Sequence, residues 1–215
     1  MDIVDPKIED YMRGLLARHD HTVLLEMEAE AKERDFPIVG RTVGVTLEVL
    51  ARAIGARTVF ELGSGYGYSA YWFARAVGPD GKVHCTDGDR RNESRAAEYL
   101  GRAALWDRIR YHVGDAVTSL RETPGEFDVV YDDIDKEGYP EAWREACERI
   151  RVGGLYLCDN VLWSGRVVED EPKDDVRSGW TEAIREHNRM IAEDDRYLSV
   201  VIPTRDGVMV GLRIA

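Results

Sequence analysis

Val59-Phe60-Glu61-Leu62-Gly63-Ser64-Gly65-Tyr66-Gly67-Tyr68-Ser69-Ala70 is the stretch that decides the fold. A short apolar run enters a turn with glycine at 63, 65 and 67, and a segment of helical period follows at once. Glycine there lets the chain swing sharply from strand to helix and lets a ligand approach the backbone. The alternating glycines depart from the G-x-G-x-x-G spacing of dinucleotide sites, and no Lys-Ser or Lys-Thr follows, which excludes a P-loop. An acid at the strand end, Glu61, would repel a phosphate and tolerate a cationic amine or sulfonium. The turn therefore points to a cofactor with no pyrophosphate to seat.

Outward from this turn, short apolar runs alternate with segments of helical period, the rhythm of an α/β protein. Strands are expected at Thr58–Leu62, Lys82–Thr86, Ile109–Val113, Phe127–Asp132, Gly154–Asp159, Leu198–Ile202 and Val208–Ile214. Helices are expected at Tyr68–Val77, Arg90–Ala104, Ala116–Arg121, Pro140–Ile150 and Asp175–Glu193. Pro203-Thr204-Arg205-Asp206-Gly207 marks a tight reversal, so the last two strands should form an antiparallel hairpin. The expected architecture is a seven-stranded, mostly parallel sheet, five strands parallel, with helices on both faces. Helical stretches at Pro6–His19 and Thr22–Arg34, joined by His19-Asp20-His21, form a cap over residues 1–40 on a cofactor-binding core at 41–215, together a single domain. Ser164–Lys173, with Glu169, Asp170, Glu171 and Pro172, reads as a surface loop placed to close over a ligand.

Over 215 residues the chain is 44% hydrophobic, with 41 acidic against 29 basic groups and a net charge of −12. That is enough apolar content for a core, and an acid excess that opposes phosphate backbones and anionic membranes. No apolar run reaches bilayer length, and the start Met1-Asp2-Ile3-Val4-Asp5-Pro6 lacks the order of a signal peptide, so a cytoplasmic protein is expected. Cys85, Cys147 and Cys158 are too dispersed for a disulfide framework or a zinc motif.

Acids recur at successive strand ends. Asp87, after the second strand, is placed to grip ribose hydroxyls, with Gly88 beside it, while Asp89 suits a helix cap. Asp115-Ala116, after the third, suits an adenine amino group, with a helix cap as its ordinary structural role. Strands four and five end in Asp133 and in Asp159-Asn160, oxygen donors able to converge on a hard cation, and no histidine or cysteine is expected nearby. That donor set favours magnesium, with calcium or manganese as the other candidates. Lys136, three residues past Asp133, is a candidate base beside such a cation.

Val59–Ala70, Phe127–Lys136 and Gly153–Gly165 together resemble the cation-dependent class I O-methyltransferases, the catechol and caffeoyl-CoA type and its small bacterial relatives. The resemblance runs from about Phe36 to the C-terminus and implies a Rossmann-like methyltransferase fold. It implies that Asp133, Asp159 and Asn160 hold a divalent metal and that Lys136 is the catalytic lysine. It further implies that Glu61, Gly63 and Ser69 hold the methionine part of S-adenosyl-L-methionine, with Ser64, Gly65 and Asp133 in the same pocket. Asp87 would hold the ribose and Asp115-Ala116 the adenine, while Val39 and Gly40 belong to a segment closing over the cofactor. Two positions depart from the family pattern: Asp132 stands where an apolar residue is usual, and Gly88 replaces a common aliphatic residue.

The expected reaction is methyl transfer from S-adenosylmethionine to one oxygen of a catechol-like acceptor. Trp163 would wall the acceptor pocket, Arg41 and Arg166 could offer it a basic entrance, and Asn188 falls near the place of a substrate-holding acid. The alternative is a tRNA hydroxyuridine O-methyltransferase, for which Arg90, Arg91, Arg95, Arg102, Arg108 and Arg110 would have to form a basic patch. A small-molecule phenolic partner without nucleic acid or membrane is the leading expectation. A homodimer is expected as well, through Ile8, Tyr11, Met12, Leu15 and Leu16.

Overall fold

Alternation along the strands sorts side chains onto the two faces of one sheet. In β1 (Thr58–Leu62), Val59 joins one apolar layer and Phe60 and Leu62 the other. The same division places Tyr131 of β4 (Phe127–Asp132) and Leu157 of β5 (Ile150–Cys158) on the first face, and Val130 and Tyr156 on the second. The computed structural model describes residues 3–19, 21–170 and 177–215. Of the expected features, Met1, Asp2, Asp20, Glu171, Pro172, Lys173 and the first two residues of the helix proposed from Asp175 lie outside these.

With β2 (Lys82–Asp87), β3 (Ile109–Val113), β6 (Tyr197–Ile202) and β7 (Val208–Arg213), the sheet runs β3-β2-β1-β4-β5-β7-β6. The first five are parallel, and β7 is antiparallel to both β5 and β6. It follows that β6 points the same way as β5, so six strands share a direction and β7 alone opposes them. The expected hairpin is present, with β7 inserted between β5 and β6. Because the chain leaves β1 towards β2 and β3 and then returns to its other side with β4, the sheet has a switch point between β1 and β4, where a crevice opens beyond the strand ends.

One layer is built by α2 (Thr22–Arg34), α3 (Gly40–Ala53), α4 (Tyr68–Val77) and α5 (Arg90–Arg102), the other by α6 (Ala116–Glu122), α7 (Tyr139–Ala146) and α8 (Ser178–Ala192). The parallel strands are thus buried on both sides, which is why they read as apolar runs. The helix α1 (Pro6–Leu15) buries no residue of its own, and Ile8, Tyr11 and Leu15 are exposed. It stops short of the expected His19, giving way to a 3-10 turn at Ala17–His19.

The helix α3 is not signalled by the sequence. Its start, Gly40-Arg41-Thr42-Val43-Gly44-Val45-Thr46, is rich in glycine and β-branched residues, which are weak helix formers. Packing overrides propensity: a Cβ at Gly44 would stand 2.1 Å from the indole nitrogen of the buried Trp72, so only glycine lets α3 close on α4. The helix expected at Pro140–Ile150 also ends early, because Ile150 pairs with Phe127 and is drawn into β5.

Candidate active site

A cleft of about 790 Å³ opens where β1 to β5 end. Its floor is the glycine turn, pinned by a residue the sequence does not single out. Thr86 on β2 donates its hydroxyl to the Glu61 carbonyl at 2.9 Å, and its Oγ1 accepts from the Gly63 N–H at 3.1 Å. Its backbone N–H donates to Ser64 Oγ at 3.1 Å, and the Ser64 N–H donates back to the Thr86 carbonyl at 2.7 Å. Gly63 has φ +83°, and a Cβ there would meet the Asp133 carbonyl oxygen at 2.5 Å. The turn therefore lies directly against the end of β4.

Under this turn sits Glu61, fully buried, with neither carboxylate oxygen in a hydrogen bond of good geometry. Burial pushes its pKa up to about 7, and the nearby Ser64 and Ser69 hydroxyls and Cys85 thiol offset only part of that. A buried carboxylate in want of a partner fits a cationic amine. Ser64, Gly65, Ser69, Gly88, Ala116 and Val39 line the same cleft. Asp87 lines it too, and its Oδ1 accepts from the Asp89 N–H at 2.7 Å and from Asn92 Nδ2 at 3.0 Å, which fixes the carboxylate at the rim. Asp115 lines the cleft while capping α6 through Thr118 N–H at 2.7 Å, and the Thr118 hydroxyl together with that N–H holds its carboxyl below the usual range. Gly40 is set back from the lining, as the first residue of α3.

Next to this turn, the ends of β4 and β5 bring Asp133, Asp159 and Asn160 together. Lys136 Nζ donates to Asn160 Oδ1 at 2.8 Å and to the Tyr139 hydroxyl at 2.6 Å, and reaches Asp133 Oδ1 at 3.5 Å. Tyr139 in turn donates to the Asp159 carbonyl at 2.9 Å. Asp159 Oδ1 is buried without a hydrogen-bond partner, and Oδ2 has the Arg205 guanidinium at 3.7 Å. Burial pushes the carboxyls of Asp133 and Asp159 upwards; the charge of Asp133 adds to this for Asp159, while Lys136 opposes it for Asp133. Two acids held at a cost beside an amide oxygen are a donor set suited to a hard divalent cation. Asn160, Trp163 and Ser164 all adopt positive φ, at 58°, 49° and 52°. Such strain in non-glycine residues is typical of backbone that over-determined surroundings hold in place for a site.

Contrary to the sequence expectation, a cysteine and a histidine do lie close by. Asp132, Cys158 and His187 are all buried, with their donor atoms within 4.8 Å of one another. They face the second layer, behind the strand ends. The Tyr156 hydroxyl sits 2.9 Å from both Asp132 Oδ2 and His187 Nε2. His187 Nδ1 is 3.1 Å from Asn188 Oδ1, and Asn188 Nδ2 donates to the Val161 carbonyl at 2.8 Å. Burial pushes Asp132 up to about 7 and His187 down to about 4, disfavouring the charged form of each, while the hydrogen bonds from Tyr156 to Asp132 and between Asn188 and His187 oppose that shift in part.

This chain occupies Asn188, which anchors the segment after β5 from behind instead of lining the cleft. Arg41 is also drawn elsewhere, into an ion pair with Glu28 of α2 at 2.7 Å, where Tyr68 donates to the same carboxylate. Trp163 does line the cleft, and Trp180 of α8 stands edge-on to it at 6.1 Å between ring centroids. Trp180 and Arg205 are cleft residues that sequence reasoning missed. The Pro203–Gly207 reversal signalled a turn, and only the pairing of β7 with β5 reveals that it folds against Asp159.

A family model described as O-methyltransferase matches residues 16–214. A caffeoyl-CoA O-methyltransferase of Eucalyptus globulus is 28% identical, covering 98% of this chain and 83% of that enzyme. A catechol O-methyltransferase of Niastella koreensis is 29% identical over 80% of each chain. Among solved structures, the O-methyltransferase TomG of Streptomyces achromogenes, in complex with SAM, superposes with a TM-score of 0.86 at 27% identity, covering 97% of this chain and 96% of TomG. With a glycine turn, acid-tipped strand ends and a lysine set among oxygen donors all in one cleft, and a match across nearly its whole length, the chain belongs to the O-methyltransferase family.

Proposed function

We propose that this enzyme moves a methyl group from S-adenosylmethionine to one oxygen of a vicinal dihydroxy-aromatic acceptor, with a divalent cation, magnesium first among candidates, at Asp133, Asp159 and Asn160. The observation that carries this is the grouping of Lys136 Nζ, Asn160 and the Asp159 oxygen that lacks a hydrogen bond in a cleft whose glycine turn covers the buried Glu61 carboxylate. The SAM-bound TomG and the catechol and caffeoyl-CoA enzymes support it.

S-adenosylmethionine supplies an electrophilic methyl group on its sulfonium. Glu61 takes the cationic amino group, Asp87 the ribose hydroxyls, and the Asp115-Ala116 rim the base. A cation held by the oxygen donors supplies Lewis acidity towards phenolic oxygens. Lys136, steered by Tyr139 and Asn160, accepts the hydroxyl proton at Nζ. Trp163 and Trp180 exclude water and present flat walls to an aromatic ring.

No observation favours the tRNA reading. Arg90, Arg91, Arg95 and Arg102 are paired with Glu93, Asp89, Glu30 and Glu26, and Arg108 and Arg110 donate to backbone carbonyls. Among the described residues no helix is long and apolar enough to cross a membrane. The uncovered apolar stripe of α1 supports the homodimer.

The test is transfer of labelled methyl from S-adenosylmethionine to catechol, caffeate and caffeoyl-CoA, with and without EDTA. Methylation falling to background in EDTA and returning with Mg²⁺ is expected. Full activity in EDTA removes the cation from the scheme, and silence towards every diol removes the acceptor class.

Glu61 adds a pH dependence. Its pKa of about 7 lies above the ordinary value of 4.5, so in the ligand-free fold the charged form is disfavoured and this group's contribution to stability declines as pH rises from ~5 to ~8. Cofactor binding needs the carboxylate, so affinity for S-adenosylmethionine should rise several-fold from pH 6 to 7.5 with proton release, read by calorimetry in buffers of different ionisation enthalpy. Glu61→Gln should flatten that slope.

A further inference from the structure

Arg205 stands on the turn between β6 and β7 with φ +50°, and the turn is tied to the active-site segment by Val161 N–H donating to the Gly207 carbonyl at 3.2 Å and Leu162 N–H to the Asp206 carbonyl at 2.9 Å. Its backbone is therefore held, and its side chain lines the cleft. Among the described residues its one ion pair is with Asp159 Oδ2, at a loose 3.7 Å. The neighbouring acid Asp206 is engaged by the Ser164 N–H at 2.5 Å. Glu9 stands across a second cavity, of about 260 Å³, that Arg205 also borders, and forms no ion pair with it.

The partner of Arg205 is thus the same carboxylate that a cation would claim. With Asp133 and Asp159 both committed to a divalent ion, their charges are balanced, and the Arg205 guanidinium remains as surplus positive charge in a cleft walled by two indoles. A guanidinium in that setting is a fork for a carboxylate, and low local polarity strengthens the pairing. Reach decides where that carboxylate sits. Lying beside Asp159, Arg205 can meet only an anion carried on the acceptor ring or on a short arm from it; the phosphates of a coenzyme A ester are many bonds too far away.

Resting on the proposed reaction, we infer that Arg205 is a specificity residue and that the acceptor is a dihydroxy-aromatic acid, its carboxylate on or within a few bonds of the ring.

The experiment compares the Kd of 3,4-dihydroxybenzoate with that of catechol by calorimetry, on the full chain with Mg²⁺ and S-adenosylhomocysteine. For the unaltered enzyme the acid should bind at least 10-fold more tightly. In Arg205→Gly, where glycine accepts the positive φ without strain, that ratio should collapse towards one, and Arg205→Lys should keep part of it. A ratio near one in the unaltered enzyme, or a ratio untouched by Arg205→Gly, overturns the inference, as does failure of both compounds to bind. Arg205→Gly should weaken caffeate binding and leave caffeoyl-CoA, whose thioester has no carboxylate near the ring, unchanged; an equal loss on both, or a loss confined to caffeoyl-CoA, assigns Arg205 to something other than that carboxylate and overturns the inference. Methyl turnover on catechol, measured alongside, separates the two proposals: turnover without acid preference leaves the reaction standing and sinks Arg205, whereas acid preference without turnover does the reverse.

Discussion

Lys136→Ala lowers kcat by ~10²- to 10⁴-fold while leaving the affinity for S-adenosylmethionine unchanged within a few-fold, the range expected when a positioned proton acceptor is removed. The lysine is mostly buried, and four groups fix its amine: Asn160 Oδ1, the Tyr139 hydroxyl, the Ile134 carbonyl and, at longer range, Asp133. So ordered a side chain has lost its rotamer freedom before any acceptor arrives. Lys136→Arg keeps the charge, but a guanidinium does not give up its proton and so cannot act as an acceptor; it should be nearly as damaging as alanine if proton transfer is the role, and mild if only charge matters. Stopped-time assays on a catechol across pH 6–9 distinguish the two. Full turnover by the alanine variant ends the case for Lys136 as the base.

Asp159→Asn produces an effect of similar size with an opposite signature in stability. Losing one anionic donor should raise the Mg²⁺ concentration for half-maximal activity by ~10²-fold or more and cut activity at fixed metal by ~10³-fold, equivalent to ~4 kcal/mol. In the metal-free fold, however, the Asp159 charge is a burden. Burial and Asp133 push its pKa up, so its charged form opposes folding increasingly as pH rises above the ordinary carboxylate range. The amide removes that burden, so the metal-free variant should melt at or above the temperature of the unaltered protein at pH 8, and above it by less at pH 5.5. Added Mg²⁺ should raise the melting temperature of the unaltered chain and not that of the variant. A variant that is both less stable without metal and fully responsive to it would show that Asp159 is an ordinary structural acid.

How much of this was legible beforehand depended on whether a feature was local. Strands and turns announced themselves because parallel strands buried on both faces are continuous apolar runs and their ends are punctuated by glycine and acids. All seven strands lie within a few residues of their expected places. The gathering of the strand-end acids along one cleft was legible for the same reason, since in a parallel sheet the ends share one edge. What stayed hidden was set by long-range packing. Helix α3 forms against its own propensities because Gly44 admits Trp72, a contact between residues 28 apart in sequence. Arg205 reaches the site only because β7 slips between β5 and β6, an order that no periodicity encodes. Arg41 and Asn188 were placed in the cleft by position in the chain, but Glu28 and the Val161 carbonyl hold their side chains elsewhere.

The hydrogen-bonded run from Asp132 through Tyr156 and His187 to Asn188 has a consequence for how this protein can diverge. Each of these groups is satisfied by the next, so exchanging Asp132 alone for an aliphatic residue strips the Tyr156 hydroxyl of one of its two contacts inside the fold, and exchanging His187 alone strips it of the other while releasing Asn188. Single steps out of the network pass through a species with an orphaned polar group, whereas replacing the members together with apolar residues leaves nothing unpaired. These positions should therefore be epistatic and change as a set across descendants of this chain, a historical ratchet located one residue behind the acids of the candidate site.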